Sequence, residues 1–227
     1  MRRCGIAGTA ALLAVACAHS HAPPRATSSS SQSPNATAVN PGNIKRVVRE
    51  LPPGYEVTTA IPDGTSPRVI WSLGADASDS KAKPAQCGIL ADPGKGLDQS
   101  AQGVSGSGGG GIVDAVVVAL PGPVDFPRDL IAPCGQWSMK AGHTTASVRL
   151  TDAPHIDGAE TLGMVADTKS SVESGTEIDS RTYTFTAYLG SYYAFTTLTT
   201  DPGSVAPALP SRFAADLLVK TVSTLRS

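Results

Sequence analysis

The sequence TYTFTAYLGSYYAFTTLT, residues 182–199, contains two runs that are rich in β-branched and aromatic residues. The runs meet at Gly190-Ser191, a pair that suits a two-residue type II′ hairpin turn. Such a turn fixes the strand register. The expected cross-strand pairs are Tyr183 with Leu198, Phe185 with Thr196, and Tyr188 with Tyr193. One side of the hairpin should line the core, and the other should present Tyr188 and Tyr193 to a helix or to solvent.

Two segments that flank the predicted strands have helical periodicity. Apolar residues within 43–51 recur at three- and four-residue spacing until Pro52 and Pro53 end the pattern. From Ser211 onward apolar residues again recur at this spacing, and Ser211 after Pro210 is a suitable N-cap. We therefore expect one short amphipathic helix at the start of the domain and a second helix that closes it.

Strands are predicted at six further places. They span residues 55–60, 68–73, 102–107, 112–120, 144–150 and 160–168. The first two are divided by the turn-forming Pro62-Asp63-Gly64 and are expected to form a hairpin. The last two should pair antiparallel, each with one buried face. Residues 112–120 are apolar on both faces, as in a central strand.

Residues 126–137 are predicted to contain a short helix that carries Cys134 to the core, with Trp137 packed over it. The glycine run at 105–111 resembles a phosphate-binding loop only because its backbone amides, without side chains around them, could contact an anion. It lacks the Gly-Lys-Ser/Thr ending and precedes a strand, so we interpret it as a strand connection. Together these elements predict an α+β fold, a mostly antiparallel twisted sheet with helices packed on one face.

The composition suits a folded domain. Of 227 residues, 41% are hydrophobic and 16% are charged, which excludes disorder over most of the chain. The formal net charge is −1, and it becomes −3 without Arg2 and Arg3, so we expect no nucleic-acid partner. No apolar run of about 20 residues follows the first sixteen, and the sequence therefore predicts no spanning helix in the mature protein.

Residues 1–16 have the pattern of an export signal. Arg2 and Arg3 are followed by an apolar run and by small residues before Cys17. The residues before Cys17 resemble a bacterial lipobox, in which the cysteine is acylated and becomes the N-terminus; an ordinary secretory signal is the alternative. Acyl chains at Cys17 would anchor the protein in the lipid bilayer, at the extracytoplasmic face of the cell membrane. Residues 17–41 are predicted to be a flexible Ser/Pro/Ala tether, and residues 42–227 a single domain.

Cys87 and Cys134 are the cysteines that remain, because Cys4 leaves with the leader and Cys17 is acylated. Export would place them in an oxidising compartment, so a disulfide between them is expected. They lack the close paired spacing of a structural zinc site, and neither lies in a C-x-x-C redox motif.

The loop before residue 160 and the strand that leads into it concentrate possible metal ligands and bases. They are His143, Asp152, His155 and Asp157. A neutral imidazole with two carboxylates can hold a divalent metal or act as a general base. None of the spacings is diagnostic, and Pro154 with Asp157-Gly158 also suits a long connection. Turn chemistry is the favoured interpretation, a metal-dependent or hydrolytic site is the alternative, and no cofactor is predicted.

Four short strings carry a resemblance to a known family. They are CGIL at 87–90, CGQW at 134–137, GHTTA at 142–146 and TYTFTAY at 182–188. Residues 42–226 resemble a family of mycobacterial lipoproteins of unassigned function. More distantly, the order of elements resembles the extracellular sensor domain of the mycobacterial kinase PknH, a disulfide-linked α+β fold with a cleft to which ligand binding is attributed. The resemblance implies the fold and supplies no catalytic residue, and this chain has one disulfide pair where that sensor has two.

Residue pattern and resemblance together favour an exported lipoprotein whose domain binds a ligand or partner without catalysis. The ligand is a small molecule, a lipid, a glycan or an envelope protein. The candidate contacts are Trp137, Tyr188 and Tyr193, because Tyr and Trp give a large contact area at low entropic cost, although such side chains more often belong to the core. The alternatives are an envelope enzyme and a structural or immunomodulatory surface protein without a pocket.

Overall fold

The structure is a computed structural model that describes residues 38–74, 80–171, 175–200 and 205–227. The export signal at 1–16, the acylation site Cys17 and most of the tether at 17–41 lie outside these residues and stay predictions. All of the described residues belong to one unit of the chain. No helix among them is both long and apolar enough to cross a membrane.

Nine strands of the described residues form a single antiparallel sheet. They are β1 Glu56–Thr58, β2 Lys81–Lys83, β3 Ser100–Gly108, β4 Gly111–Ala119, β5 Gln136–Ala141, β6 Thr144–Thr151, β7 Glu160–Ser171, β8 Glu177–Tyr188 and β9 Tyr192–Thr200. Their order is β1-β3-β4-β9-β8-β7-β6-β5-β2, so each three-residue strand lies at an edge. The helices are an N-terminal 3-10 helix Pro41–Glu50, a 3-10 turn Ala85–Cys87, α1 Pro67–Ile70, α2 Gly88–Ala91, α3 Arg128–Ile131 and α4 Arg212–Leu225. The predicted α+β fold with a mostly antiparallel sheet is confirmed.

The hairpin β8–β9 lies in the centre of the sheet in the predicted register. The observed pairs are Tyr183 with Leu198, Phe185 with Thr196, and Tyr188 with Tyr193. Gly190 has a φ of +74°, as the first position of a type II′ turn requires. The Leu189 amide donates to the Tyr192 carbonyl at 2.8 Å and closes the turn.

The N-terminal 3-10 helix and α4 cover one face of the sheet. Ile44 and Val47 of the first helix share a core cluster with Leu217, Leu218 and Val222 of α4 and with the inward side chains of β4, β8 and β9. Thr196 Oγ1 donates to the carbonyl of Ala214 at 2.6 Å and joins α4 to β9. Both amphipathic helices predicted from periodicity are therefore confirmed.

The opposite face is covered by the three connections that carry α1, α2 and α3. The predicted disulfide between Cys87 and Cys134 joins the connection of α2 to that of α3, with an S–S distance of 2.03 Å. Trp137 belongs to the same buried cluster, as expected. Trp71 Nε1 donates to Thr184 Oγ1 at 3.0 Å and fastens the connection after β1 to the middle of the sheet.

The predicted strand at 68–73 is wrong. These residues begin in α1, in which Pro67 occupies the first helical turn with a φ that suits a helix. In this conformation the Arg68 side chain is buried against Asp92, a contact that the β-rich composition of the segment does not reveal. The predicted hairpin with residues 55–60 is also wrong, because β1 pairs with β3.

The helix predicted within 126–137 is restricted to α3, and the chain then enters β5. Along β5 the inward residues Trp137, Met139 and Ala141 are buried and alternate with exposed ones. This alternation is the ordinary pattern of a half-buried strand. Cys134 nevertheless reaches the core through α3, as predicted.

The glycine run forms the β3–β4 connection, with Gly108 opposite Gly111. A Cβ on Gly108 would lie 2.4 Å from Cε2 of Tyr55, and one on Gly111 would lie 2.5 Å from the Thr199 carbonyl oxygen. Because these two glycines lack a side chain, the Tyr55 ring and the neighbouring strand β9 can pack against them. The interpretation of the run as a strand connection is confirmed.

Candidate functional site

The three aromatic candidates are all buried. Trp137 is 3% exposed, Tyr188 6% and Tyr193 0%. Tyr193 Oη donates to Gln99 Oε1 at 3.3 Å, and its ring lies 6.1 Å from that of Phe195 in a stacked arrangement. Trp137 and Tyr193 thus have the surroundings of core residues, whereas Tyr188 reaches the wall of a surface groove.

This groove, called the Tyr188 groove here, lies between the connection that follows β4 and the loop that precedes β7. Its volume is about 770 Å³, within the range of small-molecule sites. The lining residues that matter are Val124, Phe126, Arg128, His155, Glu160 and Tyr188. It therefore brings together two predicted residues, Tyr188 and His155, with four that were not predicted.

One wall of the Tyr188 groove is built on the hairpin turn. The amides of Leu120 and Val124 donate to the carbonyls of Ser191 and Gly190 at 2.9 and 2.8 Å. These bonds hold the connection after β4 against the turn. Phe126 then meets Tyr188 edge to face, with ring centroids 5.3 Å apart and planes at 89°.

Charged groups of both signs stand beside these rings. The Arg128 guanidinium lies 5.6 Å from the centre of the Phe126 ring and forms an ion pair with Glu160. The side chains of Arg128 and Glu160 are 68% and 48% exposed, so the ion pair adds little stability. Both groups are therefore accessible to a ligand at the rim of the groove.

The other wall is the loop that contains His155 and Ile156. Thr161 Oγ1 donates to the Pro154 carbonyl at 2.7 Å, and Arg226 at the end of α4 donates to the Asp157 carbonyl at 2.6 Å. The loop is thus held by β7 and by α4, while the His155 imidazole stays in solvent.

The Tyr188 hydroxyl has no hydrogen-bond partner among the residues that the structure describes. Burial raises its pKa, so it stays protonated and able to donate at neutral pH. A buried hydroxyl without a partner costs about 1–3 kcal/mol. This atom is the one unsatisfied polar group of the groove wall in the described part of the chain.

The structure does not bring the four predicted metal ligands together. His143 lies in the turn before β6 and Asp152 follows the far end of this eight-residue strand, whose seven steps alone span about 23 Å at 3.3 Å per residue. His155 Nε2 lies 3.2 Å from Asp157 Oδ1, in solvent. Within the described ranges, no group of three His, Cys, Asp or Glu side chains could hold a metal ion.

An ion pair that the sequence did not reveal is buried on the face of the sheet that α1, α2 and α3 cover. Arg68 Nε lies 3.1 Å from Asp92 Oδ2, and the two side chains are 3% and 2% exposed. Burial raises the pKa of Asp92, and Arg68 opposes this shift only in part. The partners are 24 positions apart with no motif between them, so only the fold could reveal the pair.

Sheet, disulfide and groove define a class of domain: a disulfide-linked α+β domain with an aromatic-walled surface groove. The chain belongs to the DUF5642 family, described as a domain of unknown function, which matches residues 40–226. No curated protein matches the chain.

Two solved mycobacterial structures are similar to the chain. One is an uncharacterised Mycobacterium smegmatis protein, the Rv0999 ortholog, with a TM-score of 0.63 and 18% identity over 85% of this chain and 100% of that one. The other is the extracellular domain of PknH from Mycobacterium tuberculosis, with a TM-score of 0.38 and 13% identity over 84% of this chain and 93% of that one. The predicted resemblance to mycobacterial proteins of unassigned function is confirmed, and the first structure supports the fold.

Proposed function

We propose that the protein is an exported, membrane-anchored lipoprotein whose domain binds a ligand without catalysis in the Tyr188 groove. The observation that carries this proposal is the groove itself, in which the edge-to-face Phe126–Tyr188 pair stands beside the accessible Arg128–Glu160 ion pair. The signal pattern before Cys17 and the Cys87–Cys134 disulfide support the extracytoplasmic location.

The chemistry of the groove favours a neutral polar ligand, and a glycan suits it best among the classes considered. The half-buried Phe126 ring offers an apolar surface on which the C–H face of a sugar can pack, while Arg128, Glu160 and His155 offer hydrogen-bond donors and acceptors to its hydroxyls. A fatty acyl chain would form no hydrogen bonds with these polar groups, whereas a sugar can. The described residues assemble no catalytic constellation here, so binding alone is assigned.

Two variants with the same change in charge test the site. Arg128→Gln/Glu160→Gln removes the ion pair at the groove, and Arg181→Gln/Asp167→Asn removes another solvent-exposed pair on the sheet. Each full chain is purified from a mycobacterial host and examined by native mass spectrometry for a bound adduct, then titrated with cell-wall oligosaccharides. We expect the wild type and the Arg181 variant to bind, and the Arg128 variant to lose binding at least tenfold.

Equal binding by both variants, or no adduct and no oligosaccharide binding by the wild type, would overturn the groove as the site. The anchor is tested separately. Cys17→Ser should abolish incorporation of radiolabelled palmitate and remove the acyl mass from the mature N-terminus, and an unchanged label would refute acylation at this residue.

A further inference from the structure

A second groove lies on the other side of the loop that contains His155. It is called the α4 groove here, because the last turns of α4 form its far wall, and its volume is about 550 Å³. The lining residues that matter are His155, Ile156, Val219, Ser223 and Arg226. His155 and Ile156 also line the Tyr188 groove. The two grooves are therefore neighbours, separated by one loop.

The separating loop is tight and is held in place. The Ala159 amide donates to the Ile156 carbonyl at 3.1 Å and closes the turn. Arg226 donates to the carbonyls of Asp157 and Gly158 at 2.6 and 2.8 Å and fastens the loop to the end of α4. Ile156 is buried in the core, whereas the His155 side chain is 88% exposed. The His155 imidazole is thus accessible from both grooves.

The α4 groove offers the same two kinds of contact as the Tyr188 groove. Val219 is an exposed apolar side chain, and Ser223, which is also exposed, presents a hydroxyl one helical turn further along α4. Arg226 takes part in none of the ion pairs that the described residues form, so its positive charge can attract an electron-rich oxygen. An apolar surface beside polar groups suits the C–H face and the hydroxyls of a sugar.

The combined size of the two grooves exceeds the needs of one small molecule. Small-molecule sites have volumes of roughly 300–1,000 Å³, and the Tyr188 groove, at about 770 Å³, lies within this range by itself. With the α4 groove added, the volume lies above the range. Two neighbouring grooves of similar chemistry suit a ligand of repeated units, because successive units can place the same groups in both.

We propose that the ligand of the Tyr188 groove is an oligosaccharide that crosses the loop at His155 and also occupies the α4 groove. This inference rests on the proposed function and narrows its ligand from a glycan in general to an extended chain. Units in the second groove add contacts while the entropy of association is lost only once, so a longer chain binds more tightly. A single sugar unit fills one groove only.

The test uses the full chain and mycobacterial cell-wall oligosaccharides that are separated by length, from disaccharides to octasaccharides, in calorimetric titrations. Val219→Ala/Ser223→Ala removes an apolar and a polar contact of the α4 groove. Arg212→Ala/Asp216→Ala is the matched control, because both residues are exposed, lie four positions apart on the same helix and are not among the described lining residues of either groove. Neither double variant changes the net charge. Circular dichroism and the melting temperature verify that each variant is folded.

We expect the affinity of the wild type to rise at least about tenfold from the shortest to the longest oligosaccharides. Val219→Ala/Ser223→Ala should bind the long oligosaccharides at least about fivefold more weakly, since it loses a hydrogen bond and apolar contact area. It should bind disaccharides as the wild type does, and the control should match the wild type at every length.

An affinity that does not depend on length, or equal losses in the two double variants, overturns this inference. If length has no effect but Arg128→Gln/Glu160→Gln still weakens binding, the Tyr188 groove stands as the site and only the extension into the α4 groove fails. No binding at any length overturns both proposals.

Discussion

The buried pair Arg68–Asp92 should be among the most sensitive positions of the domain. In Arg68→Met, Asp92 stays buried without its cation, and the carbonyl of Leu73 loses the Arg68 Nη1 donor at 3.2 Å. In Asp92→Asn, Arg68 stays buried without its carboxylate. Removal of one member of a buried ion pair costs about 3–5 kcal/mol. Because the two losses share one interaction, the double variant should cost about 2 kcal/mol less than their sum.

The pH dependence separates an electrostatic cause from lost packing. The pKa of Asp92 is raised in the folded protein, so the folded state binds this proton more tightly than the unfolded state does. Stability from this group is therefore present below the ordinary carboxyl pKa and is lost as the pH rises through the folded pKa. Without Arg68 this loss should be larger, so the cost of Arg68→Met should be smaller at pH 4 than at pH 7.

Urea unfolding followed by tryptophan fluorescence measures these changes. Both tryptophans are buried, Trp71 at 1% and Trp137 at 3% exposure, so unfolding should shift their emission to longer wavelength. Asp92→Asn is the control, because an amide does not titrate and its cost should not recover in acid. Single variants that each cost less than about 1 kcal/mol, or costs that add without coupling at both pH values, would refute a desolvated pair.

Two further predictions concern the same face of the sheet. The double variant Cys87→Ser/Cys134→Ser should lower the free energy of unfolding by about 4 kcal/mol, because the disulfide closes a loop across 47 positions. A loss below about 1 kcal/mol in urea titrations would contradict the chain-entropy account. Asp114 accepts a hydrogen bond from Thr197 at 2.6 Å, and burial raises its pKa, so its contribution to stability falls as the pH rises through that pKa. Asp114→Asn should remove this part of the pH dependence between pH 4 and 8, and an unchanged slope in urea titrations would contradict it.

The parts of the fold that could be predicted are those set by local rules. The register of β8–β9 follows from a two-residue turn, and the helix of residues 212–225 follows from its apolar spacing. The strand β5 also carried a usable signal, since Trp137, Met139 and Ala141 alternate with polar residues. The apolar spacing of Phe126, Leu130, Ile131 and Cys134 predicts a helix that extends to Trp137, whereas the helix ends at Ile131 and Trp137 belongs to β5.

The parts that could not be predicted depend on contacts between distant residues. Arg68 lies in a segment whose composition suits a strand, but the segment is helical, and the Arg68 guanidinium donates to Asp92 and to the Leu73 carbonyl of the following turn. Likewise, nothing local links Phe126 to Tyr188. The hydrogen bond from the Val124 amide to the Gly190 carbonyl holds the segment of Phe126 beside the hairpin turn, and this bond joins residues 66 positions apart.

The connection after β4 explains why Tyr188 reaches a groove and its cross-strand partner Tyr193 does not. Tyr188 and Tyr193 are cross-strand partners on the same face, so the turn alone does not predict which of them is exposed at a groove. Tyr193 is covered through contacts with Phe195 and Gln99. Tyr188 meets Phe126 in an edge-to-face contact at the groove wall, and its hydroxyl finds no partner among the described residues. The difference therefore lies in the connection that the turn carbonyls position, and substitutions there should alter the groove while leaving the register intact.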